Sequence, residues 1–184
     1  MNSKRLVTMA EVALMTAMAV VLNKLTPFQM WPNGGSVTLS MIPIAAVALR
    51  RGIKAGIVCG GMTGLILLLM GGFVVHPVQA VLDYPAAFAA LGFAGLVSLK
   101  DRAGNRSLLW MSISVVLGGS LRFFAHFLSG VIFFKAYTPV GQSLYLYSFL
   151  YNMSYILPEV ILTIVVMGFI YWSAPQLLQR RTGR

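Results

Sequence analysis

Cysteine is all but missing from this chain. Cys59 stands alone in mid-helix, so neither a disulfide nor a metal site is implied. Acidic residues are nearly as scarce, four against fourteen lysines and arginines, and charged residues of both signs are only 10% of the sequence. No GxxxxGKS or GxxxxGKT phosphate loop occurs, which excludes ATP hydrolysis by that route. HExxH, GxSxG and any pairing of a nucleophile with a base are absent too, so no enzyme is expected and no cofactor is implied. There is no inverted repeat of the kind that lets many carriers alternate their access. The N-terminus lacks a short apolar stretch with a cleavage site, so no signal peptide is expected.

What is present is apolar. Hydrophobic residues make up 58% of the 184, and the mean hydropathy is +0.82. This is the composition of a membrane protein. A net charge of +10 suits nucleic acid in a soluble protein. Here nearly every cation flanks an apolar run, so a lipid bilayer and not nucleic acid is the expected partner.

A bilayer crossing needs about 20 apolar residues. On that measure the sequence predicts six spans, roughly Thr8 to Leu25, Val37 to Leu49, Ile53 to Phe73, Val78 to Leu99, Leu108 to Phe134 and Leu150 to Trp172. The second is short for a full crossing, which leaves it tilted, broken or partly buried. Lys4, Arg5, Arg50, Arg51, Lys54, Lys100, Arg102, Arg106, Arg180, Arg181 and Arg184 fall on alternate loops and at both ends. Positive charge collects on the cytoplasmic side, so both termini of a multi-pass protein of the cell membrane are predicted to be cytoplasmic. The opposite loops, Thr26 to Ser36, Gly71 to Pro77 and Lys135 to Ser148, hold glycine, proline and aromatics, among them Trp31, Gly34, Tyr137 and Tyr147. They suit either an interfacial aromatic belt or the roof of a pocket opening outward.

Ionisable groups inside the spans are the most informative feature, because hydrocarbon tolerates them only where they face protein or a polar cavity. Glu11, Asp83 and Glu159 are such groups, with Arg122 and His126. Arg122 and His126 lie four residues apart on one helix face, as do Gln79 and Asp83, with Tyr84 adjacent. Asn152, Tyr155 and Glu159 share a face of the sixth helix, which Pro158 can bend. All but Glu159 fall in the outer half of the bundle under this topology. An acid, an imidazole, an amide and the flat faces of Tyr84, Phe134, Tyr147 and Tyr151 suit a planar heteroaromatic cation. The simple structural alternative is an Asp83–Arg122 ion pair that ties two helices together. Gly56, Gly60 and Gly64 read as close packing within the chain. Ala13 and Ala17, one turn apart with Ala10 beside them, suit either internal packing or a docking face for another membrane protein.

These residues also carry a resemblance. Gly34-Gly35-Ser36-Val37-Thr38, Ile42-Pro43-Ile44 and Leu49-Arg50-Arg51-Gly52 are similar to the second-helix region of the ThiT family, the thiamine-specific S components of energy-coupling factor (ECF) transporters. His76-Pro77-Val78-Gln79 with Leu82-Asp83-Tyr84 resembles its fourth helix. Arg122-Phe123-Phe124-Ala125-His126, Ser129-Gly130 and Phe133-Phe134 resemble its fifth, and Tyr147-Ser148 with Tyr151-Asn152 the entrance to its sixth. The likeness runs from about Glu11 to Pro175. It implies an all-α, polytopic membrane protein of six transmembrane helices with the S-component fold, residues 1–184 forming one membrane-embedded substrate-binding domain. By position it implies a thiamine site of Asp83, Tyr84, His126, Tyr147 and Asn152, with Phe134 as a stacking face and Arg122 beside it. Ala13 and Ala17 match the small-residue motif that docks on a scaffold transmembrane subunit, itself joined to two cytoplasmic ATPases. Some relatives carry glutamate at Asp83 and Thr38 and tryptophan at Gly34 and Phe134, and the Bacillus-like branch is nearer to this chain there. The implied function is thiamine capture outside and delivery inward. The alternatives are a stand-alone proton-coupled carrier and an S component for another vitamin. An intramembrane acid–base enzyme and a purely structural adaptor fit the polar cluster less well.

Overall fold

The computed structural model describes residues 3–25, 32–96 and 105–178. Of the positions singled out above, Thr26, Trp31, Leu99, Lys100, Arg102, Arg180, Arg181 and Arg184 lie outside these residues. Six helices make up the structure: α1 Ser3–Lys24, α2 Met41–Arg51, α3 Ile53–Leu69, α4 Pro77–Leu96, α5 Asn105–Phe133 and α6 Leu144–Ser173. Short 3-10 turns follow α5 at Lys135–Tyr137 and α6 at Pro175–Leu177. Among the described residues α1, α4, α5 and α6 are long and apolar enough to cross a membrane, and α3 is a shorter apolar helix of 17 residues.

The short second segment resolves as a buried helix. Eight of the 11 residues of α2 are buried, with Met41, Ile44 and Val47 almost completely so. A helix apolar on every side belongs inside a bundle. Pro43 falls in its first turn, where a missing N–H removes no helical hydrogen bond. Its far end is tied to α1, where Glu11 pairs with Arg50 Nε at 3.2 Å and accepts from Arg51 Nε at 2.7 Å. Glu11 therefore serves as an internal anchor and has no part in the polar cluster. Gly52 then turns the chain into α3 with φ +90, a conformation that glycine adopts without strain.

The glycine stripe of α3 packs inside the chain, as expected. A Cβ at Gly60 or Gly64 would run into the carbonyl oxygens of Phe88 and Tyr84 on α4. One at Gly56 would lie 2.6 Å from the Ala48 Cβ and 2.8 Å from the Gly92 Cα. Small residues let the two backbones touch, which is how helices gain dispersion energy where lipid offers no hydrophobic driving force.

α4 is not a uniform helix. It starts with the His76 side chain accepting from the Val78 N–H at 3.1 Å and with Pro77 in the first turn. A π-helical turn follows at Leu82–Ala86, with Pro85 inside it, and the helix ends as 3-10 over Leu91–Leu96. Pro85 cannot donate to the carbonyl four residues back and would clash with it, and the wider turn relieves that clash. The turn carries Asp83 and Tyr84.

Several predicted ends move: α1 starts earlier, at Ser3, α2 later, at Met41, and α5 earlier, at Asn105. α3 stops at Leu69, short of Phe73, because Gly71 takes φ +99 and breaks the helix. α6 begins at Leu144 instead of Leu150, so Tyr145 and Tyr147 are helical and not part of a loop. The polar atoms of Tyr145, Tyr147 and Ser148 interrupt the apolar run without interrupting the backbone. α6 then continues unbroken through Pro158 and packs along α5.

Candidate functional site

A cavity of about 260 Å³ opens at the end of the bundle where α1 finishes and α6 begins, lined by α3, α4, α5, α6, the Asn33–Ser36 segment and the end of α1. The structure brings Asp83, Tyr84, Arg122, His126, Phe134, Tyr147 and Asn152 to this one cavity. Ala13 and Ala17 lie apart from it, on the exposed face of α1.

Asp83 is the centre of the polar wall. Its Oδ2 accepts from Gln79 Nε2 at 2.6 Å and from Ser129 Oγ at 2.9 Å. Its Oδ1 lies 3.0 Å from His126 Nδ1. In the neutral imidazole tautomer that donates from Nδ1 to Asp83, His126 Nε2 is an acceptor. That Nε2 is buried and has no hydrogen-bond partner among the described residues. Gln79 is held in register by the chain before α4: its Oε1 accepts from the Val75 N–H at 3.0 Å and its Nε2 also reaches the Phe73 carbonyl at 3.1 Å. Among the described residues no lysine or arginine pairs with Asp83.

Arg122 pairs elsewhere. The Asp83–Arg122 pair considered above is not formed. Arg122 Nη1 donates to Glu159 Oε2 at 2.8 Å, and Glu159 Oε1 accepts from Thr38 Oγ1 at 2.6 Å. The rotation of α6 brings Glu159 beneath Arg122, whereas the neighbours of Asp83 on α5 are His126 and Ser129. Glu159 thus joins the cluster from which its depth seemed to separate it. Its place on one face with Asn152 and Tyr155 was the available signal.

Aromatic rings form the remaining walls. Phe134 sits with Phe73 and Tyr137 at centroid distances of 6.2 and 5.5 Å. Tyr84 accepts from the Phe73 N–H at 2.6 Å, which fixes that loop beside the cavity. Tyr151 donates to the Gly34 carbonyl at 2.8 Å and receives the Asn33 N–H at 3.1 Å, tying the segment before α2 to α6. Tyr147 lies 5.7 Å from Tyr151. Asn152 donates to the Ser148 carbonyl at 2.8 Å and accepts from Tyr155 at 2.6 Å. Phe73 escaped the reading of the sequence, because a single loop aromatic has no periodicity to mark it. The arrangement can hold a flat ring between aromatic faces and present a carboxylate to a cationic or amino group at its edge.

Residues 9–179 match the family described as thiamine transporter protein (Thia_YuaJ). The chain belongs to this family. It is 40% identical to thiamine transporter ThiT of Bacillus subtilis (strain 168), over 97% of each chain. It is 32% identical to thiamine transporter ThiT of Lacticaseibacillus paracasei, covering 98% of this chain and 94% of the relative. The structure of ThiT from Listeria monocytogenes superimposes with a TM-score of 0.87 at 29% identity, over 96% of this chain and 99% of that one. The family member described here is a multi-pass membrane protein with the six-helix fold of that structure.

Proposed function

We propose that this chain is the thiamine-binding subunit of an ECF-type vitamin importer. It takes thiamine from outside into the cavity around Asp83 and passes it inward together with a scaffold transmembrane subunit and two cytoplasmic ATPases. The observation that carries the reading is the aromatic-walled cavity whose carboxylate, Asp83, is held by an amide, a hydroxyl and an imidazole. Thiamine is a flat aminopyrimidine joined to a cationic thiazolium. It needs stacking faces, a negative group and amide or imidazole partners, and Phe134, Tyr147, Asp83, His126 and Asn152 are of those kinds. Membership of the thiamine transporter family supports the same ligand. Ala13 and Ala17 on the exposed face of α1 are the docking surface for the scaffold subunit, and both termini are cytoplasmic.

Calorimetry on the purified protein in detergent tests the ligand. Thiamine is expected to bind tightly without ATP, and riboflavin and biotin not at all. His126→Ala and Asn152→Ala should each weaken thiamine binding by about 1 kcal/mol or more without loss of folded yield, as expected for one hydrogen bond lost. Ile132→Ala, on the exposed side of α5, should not. Binding of another vitamin in place of thiamine would sink the assignment. Thiamine uptake by the chain alone, driven by a proton gradient, would replace the importer subunit with a stand-alone carrier.

A further inference from the structure

Glu159 does not line the cavity, yet it sets the charge around a group that does. Its side chain is 0% exposed and accepts from Arg122, Thr38 and, at 3.4 Å, Ser40. Arg122 reaches the cavity wall while only 4% exposed. Its Nε has no hydrogen-bond partner among the described residues, and its guanidinium carbon lies 4.6 Å from the centre of the Phe88 ring.

We propose that Glu159 is a specificity-determining residue that makes the cavity select a monocation over an uncharged ligand of similar ring chemistry. It does so by neutralising Arg122, which leaves the charge of Asp83 for the ligand. This rests on the reading of the cavity as a thiamine site. With histidine counted as neutral, Asp83 and Arg122 at the wall and Glu159 behind them sum to minus one. Lys24 also reaches the wall, but it is exposed at the mouth with its Nζ 3.4 Å from the Met70 carbonyl, where solvent screens it. Without the Glu159 charge the sum is zero. Arg122 is then left without a carboxylate partner among the described residues, in the same cavity wall as Asp83, the group the ligand needs.

The consequence is a difference between two ligands that a purely structural ion pair would not produce. Thiamine carries a permanent positive charge on its thiazolium. Hydroxymethylpyrimidine, its pyrimidine half, carries none near neutral pH. One charge within several ångströms in a water-poor site shifts a charge equilibrium by roughly tenfold to a thousandfold, and a neutral ligand is spared that effect.

Glu159→Gln keeps the shape and the hydrogen-bonding capacity while removing the charge. Calorimetry with thiamine and with hydroxymethylpyrimidine on the same preparation is the test. Thiamine should weaken roughly tenfold to a thousandfold, while the pyrimidine should stay within about threefold of wild type. Combining Arg122→Gln with Glu159→Gln restores the sum of minus one, and the ratio of the two affinities should return to within about tenfold of wild type. If Glu159→Gln alone does not fold, the combined variant and its ratio carry the test. Equal losses for both ligands, or a folded combined variant whose ratio stays depressed, would overturn the proposal. A wild-type protein that binds no thiamine would instead overturn the thiamine reading beneath it.

Discussion

Asp83 and Glu159 are two carboxylates in the same bundle, held in different ways. Glu159 is completely buried and bonded to a guanidinium, with two hydroxyls completing its shell. Asp83 stands at a cavity wall, bonded to an amide, a hydroxyl and an imidazole. The first arrangement cancels a charge where nothing can reach it. The second holds a carboxylate firmly at the cavity wall through donors that are neither lysine nor arginine. Burial alone does not tell whether the charge of an acid inside the bundle is matched by a guanidinium, and the identity of its hydrogen-bond donors does.

Breaking the closed pair should have the largest effect, and on stability. Arg122→Gln strips Glu159 of its cation and should destabilise the protein by about 3–5 kcal/mol, the usual result of leaving one buried charge without its partner. Thermal unfolding in detergent without ligand would measure it, and an unchanged midpoint would mean that Glu159 does not depend on Arg122. Asp83→Asn should have the converse profile. Thiamine affinity should fall by roughly 1.5–3 kcal/mol, one to two decades, through loss of a charge-assisted hydrogen bond. The unfolding midpoint without ligand should move little. A large loss of stability with affinity intact would make Asp83 the structural acid of the two.

A finer contrast comes from Ser129→Ala, which removes one of the three groups holding Asp83. Gln79 and His126 remain, so about 1 kcal/mol of thiamine affinity should be lost, measured by calorimetry. A loss as great as that of Asp83→Asn would mean that the hydroxyl contacts the ligand directly. The smallest effect on either carboxylate is expected from Ala13→Trp or Ala17→Trp. These residues lie on the exposed face of α1, far along the chain from both sites. Thiamine binding by the isolated subunit should stay near normal, while co-purification with the scaffold subunit and uptake in cells should be lost. Binding that falls together with assembly would return the alanines to internal packing.

The helices were legible in the sequence because apolar runs, small-residue stripes and flanking cations are all local. So was part of the cavity's lining, though not Phe73. Gln79 with Asp83 and Arg122 with His126 each share a face by spacing, and both pairs face inward. The pairing between helices was not legible. Arg122 and Glu159 are 37 residues apart, and which carboxylate meets the guanidinium is decided by the rotation of α6 against α5. Counting 3.6 residues per turn also fails across Leu82–Ala86, where the π turn around Pro85 re-aims Asp83 and Tyr84. The start of α6 was misplaced for a related reason. Hydropathy registers the hydroxyls of Tyr145 and Tyr147, whereas the helix is continued by a backbone that does not.

The burial of α2 has a consequence for how the chain enters the membrane. Eleven residues rise about 16 Å, roughly half the hydrocarbon thickness. Two arginines close the segment, and their acid partner belongs to α1. Such a helix has no means of partitioning into lipid by itself. It must be drawn in sideways, once α1 supplies the counter-charge and α3 supplies a wall. A chain ending at Arg51 is therefore expected to leave α2 open to a water-soluble thiol reagent at an introduced cysteine such as Ala46→Cys. A chain continued through α3 and α4 is expected to shield it. Biogenesis of this protein would then be a folding event from its second helix onward, with insertion waiting on tertiary contact.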